Sequence, residues 1–188
     1  MKISIITPSY NSGHTIKSCL GSIQHQSYKN VEHILIDGGS KDDTIEIAHT
    51  CSPHTRIVSE PDQGIYDAMN KGIKLANGDI IGILNSDDVY TSQDVIQLVM
   101  DRFKDHKVDA VYGDLNYINQ NNKIIRKWRS GEYSRNSFLQ GWMPPHPTFF
   151  IRKEYYDMYG LYNTDFSISA DYELMLRMLY RYKLNCDY

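Results

Sequence analysis

Apolar and polar positions follow two different rhythms along the first 112 residues. Short β-branched and apolar runs read as strands: ISIITP (3–8), VEHILID (31–37), RIVS (56–59), DIIGILN (79–85) and VDAVYG (108–113). Between them apolar residues recur at helical spacing, as Ile16, Leu20 and Ile23; Ile45 and Ala48; Ile65, Met69, Ile73 and Ala76; and Val95, Leu98, Val99 and Phe103. A parallel partner needs a crossover, and a helix supplies one. The alternation therefore predicts an α/β fold with a doubly wound, mainly parallel sheet flanked by helices. SKDD (40–43) and TSQD (91–94) have the capping-box pattern, a hydroxyl residue followed three positions later by a carboxylate, and NGD (77–79) offers a glycine stop to the third helix.

Beyond residue 113 the rhythm changes. LNYINQNNKIIRKW reads as two strands about Asn121-Asn122, followed by a proline-rich loop MPPHPT, a strand FFIR and a helix from about Ser169 to Tyr182. Fifteen of the 22 aromatic residues fall between Trp128 and Tyr188, so this third is the candidate for stacking on a sugar or covering a cleft, with a core of large rings as the plainer alternative.

Composition narrows the functional classes. A chain of 188 residues with 41% hydrophobic and 23% charged residues can bury a core and form one domain. Its net charge of −3 gives no global attraction to nucleic acid, and no nucleic-acid partner is expected. Cys19, Cys51 and Cys186 lack the spacing of a zinc site and are expected to be reduced core residues. MKISIITPSY carries no signal-peptide pattern, and no stretch approaches the ~20 apolar residues of a membrane span. A cytoplasmic protein is expected.

Ligands of open parallel sheets bind beyond the carboxyl ends of the strands. There the sequence places TPSYN (7–11), DGGSKDD (37–43) and NSDD (85–88). Asp37 offers an acceptor to a base N–H, Tyr10 a ring face, Gly38-Gly39 a close backbone approach, and Asn85 a reach to ribose hydroxyls. The apolar run ending in Asp87 and Asp88 sets two like charges side by side. They are hard oxygen ligands for Mn2+ or Mg2+, which would join them to a diphosphate. Each cluster alone also reads as a turn or helix cap; their coincidence on one edge points to a nucleotide.

TPSYN, DGGSKDDT, SEPDQGIYDAMNKGIKLANGDIIGILNSDDVY and SADYEL together resemble the family 2 glycosyltransferases of GT-A fold, in particular the bacterial O-antigen and capsule branch. The resemblance runs from Lys2 to about Tyr182. It implies an inverting transfer of a sugar from a nucleotide-diphosphate donor, UDP foremost, to a glycan or lipid-linked acceptor. Carried over by position, Thr7, Pro8, Tyr10, Asn11, Asp37 and Gly38 would contact the nucleotide, Asp87 and Asp88 would serve metal and ribose, and Asp171 would be the base. On this reading residues 1–112 form the nucleotide-binding half and 113–188 the acceptor-side half of one catalytic domain, with Trp142 and His146 on the acceptor side. Two departures stand out. Asn85 stands where the metal motif often opens with Asp, and the chain stops at Tyr188, short of the strand and loop that usually follow SADYEL, as a truncated form would.

Asp171 also reads as a first-turn acid favoured by the helix dipole. KIIRKWRSGEYSR (123–135) holds five basic residues against one acid. It reads either as the solvated face of a hairpin, the commoner case, or as a surface for anionic headgroups at the inner face of the plasma membrane. A non-catalytic nucleotide-sugar-binding subunit would keep Asp37 and the aspartate pair but lack a base, and Asp171 argues against it. A nucleotidyltransferase would show a basic, glycine-rich triphosphate loop, and TPSYNSGHT has one glycine and no Lys or Arg.

Overall fold

The computed structural model describes residues 1–119 and 121–188. Its elements run β1 (Ile3–Ser9), α1 (Ile16–Gln24), β2 (Val31–Asp37), α2 (Thr44–Cys51), β3 (Arg56–Ser59), α3 (Ile65–Leu75), β4 (Ile80–Ile83), α4 (Val95–Arg102), β5 (Ala110–Val111), β6 (Leu115–Ile118), β7 (Ile124–Trp128), β8 (Phe150–Arg152), α5 (Lys153–Tyr159), α6 (Ala170–Met175) and β9 (Cys186–Asp187). Helix α6 runs on into a π-helical turn, Leu176–Arg181. All the strands and helices read from the periodicity of the first 112 residues are present, the strands shorter at β4 and β5.

The main sheet has seven strands in the order β3-β2-β1-β4-β8-β5-β9. Strand alternation sorts its residues cleanly. Ile3, Ile5 and Ile80 face a core shared with α1 and α4, while Ile6, Ile34, Ile36, Ile81 and Ile83 face α3 and the C-terminal helices. Helices on both faces make the sheet doubly wound. β1, β2, β3 and β4 pair in parallel. Between β4 and β5, however, lies β8, antiparallel to both, so the expected parallel pairing holds for β1 to β4 and is interrupted at β8. β6 and β7 form a separate antiparallel hairpin.

The expected helix punctuation is corrected in three places. Asp43, not Ser40, holds the N-cap position of α2, because the Ser40 hydroxyl donates to Asp37 instead. At α4 the cap comes from another element: Gln26 Oε1 accepts from the Ile96 N–H at 2.9 Å, and its Nε2 donates to the Ser22 and Ser92 carbonyls. Gly78 is not a left-handed stop, for α3 ends in an extended residue, Ala76. A Cβ at 78 would stand 2.6 Å from the Ser4 backbone nitrogen, so the glycine is there for close approach. Helix α5 went unread, its KEYYDMY dominated by rings rather than by an apolar stripe.

Candidate functional site

Register brings the three polar clusters together. Ser9 lies beside Asp37 across β1 and β2, and Ile6 beside Ile83 across β1 and β4, so the loops after these strands emerge on one edge. Hydrogen bonds then stitch the loops to one another. The Asn11 N–H donates to Ser40 Oγ (2.8 Å), Asn11 Oδ1 accepts from the Lys41 N–H (2.9 Å), and the Gly13 N–H donates to Asp42 Oδ2 (2.9 Å). Asn11 does this from the left-handed region (φ 49°), which an asparagine adopts readily. The hydroxyls of Ser12 and Ser86 bond at 2.8 Å, and Cys19 Sγ donates to the Asn85 carbonyl, which ties in the third loop.

Not all the expected nucleotide contacts lie on the surface of this edge. Tyr10 does, with 63% of its area exposed. Thr7 and Pro8 are buried within β1, and the Thr7 hydroxyl is taken by His33 Nε2 at 3.0 Å, so they underlie the site rather than face it. Asp37 is wholly buried as well. Its carboxylate accepts from the Ser9, Ser40 and Ser59 hydroxyls and from the Gly39 and Ser40 N–H groups. Burial pushes this carboxyl up, but the Ser40 and Ser59 hydroxyls and the Ser40 N–H outweigh it, and it is held below the usual range. As it stands Asp37 shapes the loop; its oxygens are not free for a base. A Cβ at Gly38 would come within 2.6 Å of Asp62 Oδ2, which sets the Asp62 carboxylate against this loop. Asp62 thus belongs to the edge. Within SEPDQG nothing in the sequence pattern marks Asp62 for that place.

The third loop carries the uncompensated charge. Asp87 is exposed, while Asp88 is partly buried and accepts from Asn85 Nδ2 at 3.0 Å. Burial, then the Asp87 charge, raises the Asp88 carboxyl to about 6, and the Asn85 bond offsets only part of this. Asn85 Oδ1 is buried without a partner. No group of three His, Cys, Asp or Glu arranged around a common ion occurs among the described residues. Two hard carboxylates that repel each other, beside an orphaned amide oxygen, fit a divalent cation whose remaining ligands come from phosphate and water.

Asp171 reaches the same edge from the far end of the chain. Its Oδ1 accepts from Tyr66 OH at 3.1 Å, and Tyr66 stands in the first turn of α3, directly after the loop from β3. The Tyr66 ring stacks on Tyr162 at 5.6 Å, and Asn70 holds both the N–H and the carbonyl of Tyr162 at 2.9 Å. Tyr66 and Asn70 are i, i+4 on one helix face, a spacing that could have marked them in the sequence.

Of the two residues expected on the acceptor side, His146 lies beneath the surface and Trp142 is half-buried. His146 is buried, its Nε2 bonded to Tyr162 OH at 2.7 Å, and burial draws its imidazole down to about 4 against the opposing charge of Asp171. It is a neutral core residue behind the site. Trp142 donates its indole N–H to the Ser130 carbonyl, stacks on Tyr133 and meets Tyr112 and Phe138 edge-on.

With this geometry in view, comparison with known proteins is specific. A family model described as Glycosyl transferase family 2 matches residues 4–175. A PGL/p-HBAD biosynthesis glycosyltransferase of Mycobacterium bovis is 32% identical over 183 residues, covering 93% of this chain and 68% of the relative. S. aureus TarS 1–349, solved in complex with UDP, aligns with a TM-score of 0.78 at 19% identity, over 94% of this chain and 54% of that one. Glucosyl-3-phosphoglycerate synthase from Mycobacterium tuberculosis, solved with Mn2+, UDP and glucosyl-3-phosphoglycerate, aligns with a TM-score of 0.72 at 18% identity, over 99% of this chain and 69% of that one. The solved structures establish the GT-A fold. The chain spans only part of each relative's length.

Proposed function

Since the chain belongs to glycosyl transferase family 2, we propose that it transfers a sugar, with inversion, from a nucleoside-diphosphate donor to a hydroxyl of a glycan or lipid-linked saccharide. Bacterial surface polysaccharide synthesis is the setting we assign, with hexosyl or N-acetylhexosaminyl transfer in the cytoplasm. One observation carries the reading: the uncompensated Asp87–Asp88 pair and Asp171 converge on the edge where the loops after β1, β2 and β4 are bonded together. UDP is the nucleotide of choice because both solved relatives described above carry it.

Tyr10 and Asn11 border the base and ribose, and the 37–40 loop supplies backbone close to them. Asp87 and Asp88 would hold Mn2+ or Mg2+, and that ion, when bound, would offset the charge of the leaving diphosphate. Tyr66 occupies Asp171 Oδ1 and leaves Oδ2 to accept the proton of the acceptor hydroxyl as its oxygen bonds to the anomeric carbon. The bond from that carbon to the diphosphate breaks on the opposite face. No second carboxyl is needed to protonate the leaving group, as it is in a glycosidase.

The test is equilibrium binding of UDP, GDP and TDP, each with Mn2+ and with chelator. UDP should bind tightest and only with the metal, and Asp87→Ala or Asp88→Ala should weaken it sharply. Equal affinity in chelator would sink the assignment.

A further inference from the structure

The β6–β7 hairpin stands apart from the main sheet and, among the described residues, is anchored at its base. There the Ser130 N–H and the Arg129 guanidinium donate to Asp114, and Tyr112 OH donates to the Gly131 carbonyl. Its outer part is uncovered. Ile118, Ile124 and Ile125 are 41%, 51% and 68% exposed, and Tyr117 is 38% exposed. A register shift after Tyr117 sets Ile118 opposite Ile124, so Ile125 is the extra residue of a bulge. Three aliphatic side chains are thereby gathered near the tip of a ribbon that has no core to bury them.

Positive charge surrounds them. Lys123, Arg126 and Lys127 are exposed and have no acidic partner among the described residues. No Asp or Glu occurs between Leu115 and Gly131, although the whole chain carries a net −3. The Arg126 guanidinium lies 5.3 Å from the Tyr117 ring centroid and 5.9 Å from that of Trp128, which sets two amphipathic rings behind the tip.

A merely solvated face accounts for the cations but not for the isoleucines. A protein partner would favour the isoleucines but not a rim of unpaired lysines, which interfaces disfavour. Exposed aliphatic tips ringed by Lys and Arg, with Tyr and Trp at the intermediate level, complement a bilayer carrying negative headgroups. We propose that the β6–β7 hairpin docks the protein on an anionic lipid surface, the isoleucines entering the headgroup boundary and Lys123, Arg126 and Lys127 facing lipid phosphates. It would hold the acceptor side of the molecule against the membrane without spanning it.

The experiment is co-sedimentation of the full chain with vesicles of phosphatidylcholine alone or mixed with phosphatidylglycerol. Binding is expected only to the mixed vesicles and should weaken as salt rises. Ile124→Ser with Ile125→Ser should lower the partition by about tenfold or more per residue. Lys123→Gln with Arg126→Gln and Lys127→Gln should lower it by about 10²-fold, from roughly fivefold per cation. Equal binding to both vesicle types, absence of binding, or variants that bind like wild type would each overturn the proposal. So would a concentration-dependent dimer that dissolves in the isoleucine variant, which would give the surface to a second copy of the chain. UDP binding measured on the same samples reads the donor site separately: its absence would fault the proposed activity and leave the hairpin result standing.

Discussion

Asp88→Asn should make the nucleotide-free protein more stable, the reverse of most substitutions. Burial and the neighbouring Asp87 hold the Asp88 carboxyl at about 6 rather than 3.8. At neutral pH that difference sets roughly 3 kcal/mol against the ionised form. Asp88 keeps some contact with solvent, so about half of this, ~1.5 kcal/mol, is expected to appear as stability. For a domain of this size that is a rise in Tm of roughly 3–6 °C. An asparagine oxygen at 88 can still accept from Asn85 Nδ2, so the turn is kept. The pH dependence has a definite sign. The folded carboxyl takes its proton near 6 and the unfolded one only near 3.8, so the penalty is full above pH 7, declines as pH falls through 6, and is nearly gone by about pH 4. Thermal unfolding of both proteins in chelator at pH 7.5, 6.0 and 4.5 measures this. A variant no more stable than wild type at pH 7.5, or one whose gain persists undiminished at pH 4.5, would refute the reasoning. The same substitution should weaken metal-dependent UDP binding, setting stability against function at one residue.

Asp171→Asn should leave donor binding and Tm nearly unchanged and lower turnover by ~10²–10⁴-fold, read in single-turnover kinetics. Near-normal transfer would send the search for the base elsewhere, although Glu173 is already engaged by Arg177 at 2.8 and 2.9 Å. His33 and His146 are both drawn down to about 4 by burial, whereas unfolded histidine takes its proton near 6.5. The stability they permit is therefore full above pH 6.5 and is lost as pH falls toward 4; urea unfolding should show a shallower acid loss in His33→Gln, and an unchanged slope would assign it to other groups.

What the sequence made legible was whatever depends on local periodicity. The two rhythms of the first 112 residues located four helices and five strands, because each strand face and helix stripe is buried against its sequence neighbours. β8 escaped that logic: nothing in FFIR says that it slots antiparallel between β4 and β5, since that choice is made by a partner far away in the chain. The site divided in the same way. Asp87, Asp88 and Tyr10 follow strands, so their place on the loop edge is readable from position alone. The burial of Asp37 and Thr7 was not, because it arises from cross-loop partners, Ser59 and His33. The burial of His146 was hidden for a related reason: a histidine between prolines looks alike whether it lines a cleft or fills a core.

The position of β8 bears on how the molecule is made. As the chain leaves the ribosome, β1 to β4 are complete while the flank of β4 still lacks its neighbour, which arrives only with Phe150–Arg152. Through that interval the nascent sheet ends in IIGI, an apolar strand with unpaired N–H and C=O groups, the kind of edge that recruits a second chain. Final closure waits on a contact of long sequence separation, which slows folding and lengthens the exposure. A fragment ending near residue 112 would be fixed permanently in that open-edged state, so donor-site engineering has to carry residues 150–152 along with the nucleotide loops.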